Sequence, residues 1–317
     1  MSNVAEWHEL IITAITIPHV FLSKFINIHI FISRDHYLSI TVDSGTNNRT
    51  AKIPPAVVSG LLWNLTAILS FDYRMITGKR SHCVNEASER VYSLENDEGQ
   101  TLEVTFRVYN DGIAFKYRLK AISDEEHIIN EYTAYALPQG SKRWIQQYDP
   151  GYEKFFPLST DGKLANRPEV DLWGYPALIE PRDSVFVLIT EANIRRGHCG
   201  SFLYNGDNRD NYQVRLGNKK LAFNGVWESP WRLLIAGSLA DITESTLVTD
   251  VSDPSKVEDT EWIKPGIVSW IYWAYNHGSQ DYQIVKEYID LAVKMKWPYD
   301  LIDLIILRTM VICPINP

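Results

Sequence analysis

Residues 101–108 (TLEVTFRV) alternate strictly, with Leu102, Val104, Phe106 and Val108 on one side and Thr101, Glu103, Thr105 and Arg107 on the other. After Asn110-Asp111-Gly112 the alternation resumes with Ile113, Phe115, Tyr117 and Leu119. Two period-two runs about an Asp-Gly pair predict a β-hairpin, with the glycine taking the positive φ that such turns need. Further apolar runs at 185–189, 212–216, 219–223 and 231–236 predict strands, and Gly217-Asn218 joins two of them. No helical period stands out between 82 and 250. The stretch 76–252 therefore predicts an antiparallel β-sandwich.

The pattern changes after residue 250. Residues 253–266 (DPSKVEDTEWIKPG) are polar and broken by proline and glycine, as a linker is. IVSWIYW at 267–273 predicts a buried strand. Asp281 then caps a helix with Ile284, Tyr288, Leu291, Ala292 and Met295 on one side, stopped by Pro298 before a second strand at 299–303. Strand, helix, strand predicts a parallel crossover. Closing a (β/α)8 barrel takes eight such units and about 250 residues, so 267–303 reads as the first βαβ of an incomplete barrel. The tail 304–317 carries no charge except Arg308 and does not continue that pattern.

Residues 1–75 are atypical, with strands as their expected contribution. The run from Leu10 to Ile32 is strongly apolar, but Glu6 and Glu9 precede it and Pro18, His19, Lys24 and His29 interrupt it. Neither a secretory leader nor a membrane-spanning helix is expected there. A net charge of -8 argues against a nucleic-acid partner, which needs a basic face. Three dispersed cysteines, Cys83, Cys199 and Cys313, form neither a zinc motif nor a disulfide framework.

The tracts SHCVNE (81–86), FRVYNDGIAFKYRL (106–119), LITEA (188–192), SPWRLLIAG (229–237), ES-x-LV (244–248), DPSKVEDTEWIKPG (253–266), SWIYW (269–273) and YIDLAVKMKWPYDLID (288–303) follow one another in an order that resembles glycoside hydrolase family 97. The resemblance covers 82–303. It implies a mainly β fold, an antiparallel β-supersandwich followed by the start of a (β/α)8 barrel, in a family of bacterial α-glucosidases and α-galactosidases. It also implies an α-linked oligosaccharide as partner and a periplasmic or secreted location.

Glycoside hydrolysis needs two carboxyl groups flanking the scissile bond. The family draws both from barrel strands downstream of 303, so no catalytic residue is assigned and the chain alone is expected to be inactive. The resemblance implies a metal role for Glu191, whose counterpart in the TEA tract helps to hold Ca2+ at the sugar site. A carboxylate suits that hard, oxygen-seeking cation. Calcium is expected for the full-length family member and not for this chain alone; a solvated acidic strand end is the competing reading of Glu191. Trp273, nearer than Trp270 to the C-terminal end of the first barrel strand, is the candidate for substrate binding, against the reading that both fill packing space.

Asp303 ends a strand where barrels place functional groups. His82, His198 and His277 lack metal-ligand spacing, and Arg195-Arg196 reads as a solvated pair. A sandwich working alone as a carbohydrate- or partner-binding module is the alternative function.

Overall fold

The computed structural model describes residues 10–17, 26–32, 38–44, 61–95, 101–120, 126–128, 130–131, 133–195, 198–218, 221–271, 281–304 and 309–314. The chain divides into two compact units, Met1–Arg74 with His82–Asp253, and Met75–Ser81 with Pro254–Pro317.

The first unit is antiparallel β throughout its described pairings. Its large sheet runs in the order Leu158–Ser159, Lys142–Trp144, Ala177–Arg182, Val185–Ala192, Trp231–Gly237, Gly112–Lys120, Thr101–Tyr109, His82–Glu95, Leu61–Arg74, and Val226–Glu228 also pairs with Gly112–Lys120. A second sheet has the order Leu172–Trp173, Ser201–Tyr204, Asn211–Leu216, Ala134–Ala136. One apolar core contains Val104, Phe106, Phe115, Ile179 and Leu234 from the large sheet with Tyr135, Trp173, Leu203 and Val214 from the second. A separate core gathers Ala114, Leu233 and Ile235 with Ile242, Leu247 and Val251. Trp231–Ile235 is thus buried on both faces, which is why its sequence is apolar apart from Arg232 where 101–106 alternates.

The expected hairpin forms, with Tyr109 opposite Gly112. Its turn chemistry differs from expectation, because neither Asn110, Asp111 nor Gly112 has a positive φ. Glycine is needed at 112 for close approach instead, since a Cβ there would stand 2.3 Å from the Leu234 carbonyl oxygen. Alternation also ends early: Val108 is exposed and Tyr109 buried. Gly217-Asn218 does not make a hairpin, because Asn211–Leu216 and Leu221–Phe223 lie in different sheets.

Two short helices, Leu239–Glu244 and Leu247–Asp250, were not legible as periodic segments. A capping box starts the first, with Ser238 and Asp241 bonding each other's backbone N–H. Asp250 at the end of the second is buried and accepts from Tyr73, Asn85 and Thr246. That carboxylate ties the helix to the two long strands Leu61–Arg74 and His82–Glu95.

The apolar N-terminal run contributes Leu10–Ile17 and Ile26–Ile32, which pair with each other, and Ile26–Ile32 pairs in turn with Leu38–Ser44, all antiparallel. Among the described residues no helix is long and apolar enough to cross a membrane.

In the second unit Val268–Trp270 pairs in parallel with Tyr299–Leu304, and the helix Tyr282–Met295 joins them. Asp281 caps the helix by accepting from the Gln283 and Ile284 backbone N–H groups. The helix stops at Lys296, whose backbone is left-handed, before Pro298 is reached. Of the expected apolar side, Ala292 is buried while Leu291 and Met295 are exposed. Thr309–Pro314 from the tail pairs antiparallel with Tyr299–Leu304.

Candidate functional site

Glu191 sits one residue from the end of Val185–Ala192, directly opposite Arg232 on the neighbouring strand. Facing pairs on one side of a sheet have Cβ atoms about 5 Å apart, so this register brings the two side chains together. Arg232 Nη1 donates to Glu191 Oε2. The other edge of the guanidinium donates to Glu131, from Nε to Oε1 at 2.8 Å and from Nη2 to Oε2 at 2.5 Å. This two-pronged geometry is the strong form of an Arg–carboxylate pair. Side-chain exposure is 0% for Arg232, 6% for Glu131 and 9% for Glu191.

Every remaining contact steadies this triad. Ser201 opens the strand Ser201–Tyr204, donating its N–H to Glu191 Oε1 at 3.0 Å and its hydroxyl to Oε2 at 2.7 Å. It also accepts from Arg232 Nη1 at 3.1 Å. Thr133 donates to Glu131 Oε1 at 2.8 Å, which leaves its oxygen to accept from the Tyr117 hydroxyl. Burial pushes the Glu131 carboxyl up, but the Arg232 charge and hydrogen bonds outweigh it and hold the group below its usual range. Arg232 is held correspondingly more firmly protonated: burial opposes its charge, and Glu131 more than compensates.

His198 stacks on Trp227 at 5.5 Å and directs Nδ1 at the Cys199 carbonyl oxygen. That bond puts the proton on Nδ1 and leaves Nε2, buried without a partner among the described residues, as an acceptor. Burial lowers its pKa by disfavouring the charged ring. The Tyr135 hydroxyl, also buried and unpartnered, is pushed up strongly by burial.

The donor set can be tested for a hard cation. Each carboxylate oxygen offers about two acceptor positions. Glu191 Oε2 uses two, for Ser201 and Arg232, whereas Oε1 uses one, for the Ser201 N–H. Among the described residues no second partner reaches Oε1, so Glu191 has at most one oxygen to offer a cation. Among the described residues no three His, Cys, Asp or Glu side chains gather to complete such a site.

Other sequence candidates fall elsewhere. Arg195 is not a simple solvated residue, since it pairs with Glu228 at 2.6 Å and Asp253 at 2.8 Å. His82 pairs with Asp72 on the surface. Trp270 ends the strand Val268–Trp270. Trp273, His277 and Arg196 lie outside the described residues.

Sequence reading missed Glu131, Arg232 and Ser201. The signal for Arg232 was present: a lone charge inside the apolar run WRLLIA is affordable only when paired. Glu131 and Ser201 carried no such mark, because their partners are far away along the chain.

Comparison with known proteins places this framework. The model of the glycosyl-hydrolase 97 N-terminal domain matches residues 65–254. The chain belongs to glycoside hydrolase family 97. The family match takes in part of the long strand Leu61–Arg74 and ends one residue past Asp253, the last of the first unit. The chain is 29% identical over 232 residues to a probable retaining α-galactosidase of Streptomyces bingchenggensis, covering 73% of this chain and 35% of that one. It is 24% identical over 314 residues to a retaining α-galactosidase of Bacteroides thetaiotaomicron, covering 83% and 47% respectively. The chain thus spans less than half the length of these curated relatives.

Among solved structures, a family 97 enzyme of Pseudoalteromonas sp. strain K8 in complex with acarbose superposes with a TM-score of 0.64 at 17% identity, covering 86% of this chain and 43% of that one. A β-arabinopyranosidase gives 0.64 at 24% identity, covering 87% and 49%. At these identities the likeness shows the shared fold.

Proposed function

We propose that residues 65–254 serve as the non-catalytic β-domain of a retaining α-glycosidase acting on terminal α-linked galactose, and that this chain alone does not hydrolyse glycosides. The observation that carries the proposal is the family match over residues 65–254, joined to the retaining α-galactosidase character of both curated relatives. A retaining mechanism needs two carboxyl groups about 5–5.5 Å apart, one as nucleophile and one as acid and base. The family takes both from the barrel beyond Asp303.

In this reading 267–303 is the first βαβ of that barrel, which the parallel pairing of Val268–Trp270 with Tyr299–Leu304 supports. Trp273 lines the sugar pocket, and the α-linked oligosaccharide is bound by the full-length enzyme in the periplasm or outside the cell. Glu191 supplies one oxygen to a calcium ion, whose chemistry when bound is to polarise and orient the sugar. Glu131, Arg232 and Ser201 are structural supports and do not touch substrate.

The test is an assay of the purified chain with nitrophenyl α-galactoside and α-glucoside, beside a polypeptide extended through a whole family barrel. The expected result is no release by this chain and release from the α-galactoside by the extended one. Turnover by the 317-residue chain would place the reacting carboxylates inside it and overturn the proposal.

A further inference from the structure

The sequence holds Asn-Gly twice, at 205–206 and 224–225. Asparagine is a chemically labile residue, and most so before glycine, which has no side chain to hinder attack of its backbone nitrogen on the preceding amide. The two copies stand in opposite surroundings.

Asn205, which follows the strand Ser201–Tyr204, is 1% exposed. Its amide is fully engaged: Nδ2 donates to the Gly162 carbonyl at 3.0 Å and the Arg209 carbonyl at 3.2 Å, and Oδ1 accepts from Trp173 Nε1 at 2.9 Å and Arg209 Nη1 at 3.2 Å. Turning that side chain onto the Gly206 nitrogen would break all of these bonds away from water, and each buried group left unpartnered is costly.

Asn224 and Gly225 are both exposed. They link Leu221–Phe223, which pairs with Glu126–Ile128, to Val226–Glu228, which pairs with Gly112–Lys120. Among the described residues neither the Asn224 amide nor the Gly225 N–H has a hydrogen-bond partner. A Cβ on Gly225 would meet nothing within 4 Å, and its φ of +75° is one that glycine adopts freely. Nothing here holds the amide away from the nitrogen that can attack it.

We propose that Asn224 is a self-modifying site that deamidates in the folded chain, while Asn205 does not. The Gly225 nitrogen attacks Asn224 Cγ; the new N–C bond forms and the Cγ–Nδ2 bond breaks. The Gly225 amide proton leaves with Nδ2 as ammonia. Water then opens the cyclic imide at either carbonyl, giving aspartate or, with an added methylene in the backbone, isoaspartate. Either product puts a negative charge on the link. The isoaspartyl form also lengthens it, beside Trp227, which is buried and stacks on His198, and Glu228, which pairs with Lys116 and Arg195. Lengthening at this point loosens Val226–Glu228 from Gly112–Lys120.

The test incubates the whole chain for days in mildly alkaline buffer, beside a urea-denatured sample, and maps both by tryptic mass spectrometry. Trypsin separates the two sites into the fragments 221–232 and 197–209. In the folded chain 221–232 should gain the mass of exchanging NH2 for OH while 197–209 does not; in urea both should gain it. Gly225→Ala should slow the gain several-fold, and Asn224→Gln, whose longer side chain cyclises poorly, should abolish it over the same period. Isoaspartate, read by enzymatic methylation of 221–232, should accompany faster amide exchange in 226–228, an effect absent from Asn224→Asp.

A 221–232 fragment that stays unchanged in the folded chain but reacts in urea would show that the fold shields Asn224, and would overturn the proposal. Equal gains at both sites in the folded chain would overturn the claim that the fold selects between them. Unaltered exchange in the isoaspartyl chain would overturn the loosening of Val226–Glu228.

Discussion

Two buried carboxylates, Glu131 of the first unit and Asp300 of the second, are shifted in opposite directions although burial raises both. Glu131 in the first unit is enclosed with Arg232 and is held below its usual range. Asp300 in the second unit is fully buried on its strand and accepts from the Ser269 hydroxyl, while its Oδ2 has no partner among the described residues. Burial raises the Asp300 carboxyl, and the single Ser269 bond only partly offsets this. Desolvation acts on both groups; what reverses its outcome at Glu131 is a cation enclosed with it. Glu131 is buried beside a cation within a hydrogen-bonded set. The second unit buries a carboxyl with one neutral donor.

The sharpest way to break the comparison is to take the cation from the first unit. Arg232→Met leaves Glu131 and Glu191 enclosed without their partner. Removing one member of a buried ion pair costs about 3–5 kcal/mol, much of a domain's stability. We expect loss of folded first unit at moderate denaturant, read by amide hydrogen exchange in Val185–Ala192 and Trp231–Gly237. Protection equal to that of the unmodified chain would mean that the triad does not hold the sandwich together.

A smaller effect of opposite sign is expected in the second unit. Replacing both partners, Ser269→Ala with Asp300→Val, removes a buried carboxyl and leaves no orphaned hydroxyl. Such paired replacements are neutral to stabilising, and we expect about 1–2 kcal/mol of added protection at pH 7 in Val268–Trp270 and Tyr299–Leu304. A loss of protection there would show that the Asp300–Ser269 bond favours folding.

The smallest effect is the pH response, which should differ in sign between the units. Glu131 is lowered from 4.5, so its contribution is complete above that value and is lost as pH falls through the folded pKa. His198 is lowered from 6.5 and binds its proton more weakly when folded, so it too costs stability as pH falls below 6.5. Asp300 is raised from 3.8; its proton is held better in the folded state, so stability is complete below that value and declines as pH rises through the folded pKa. Acidification should therefore loosen the first unit and tighten the strand pair of the second. Hydrogen exchange of each unit from pH 7 down to about pH 3, below the unfolded Glu131 value, checks this, and parallel responses would remove the distinction.

The sequence by itself determined the repeating local order. Alternation at 101–106, the flanked hairpin, the Asp281 cap and the change of pattern after residue 250 each depend on neighbours within a few positions, where side-chain period and capping chemistry are written directly. Family order drew attention to Glu191. Only tertiary structure decided what Glu191 does locally, because Glu131, Ser201 and Arg232 are brought to it by strand register and by the second sheet. The same holds for Gly112, whose bare Cα answers to a carbonyl oxygen of another strand. A pairwise electrostatic or steric demand between distant positions leaves no period in a sequence, and it takes form only when the backbone register has set which residues face each other.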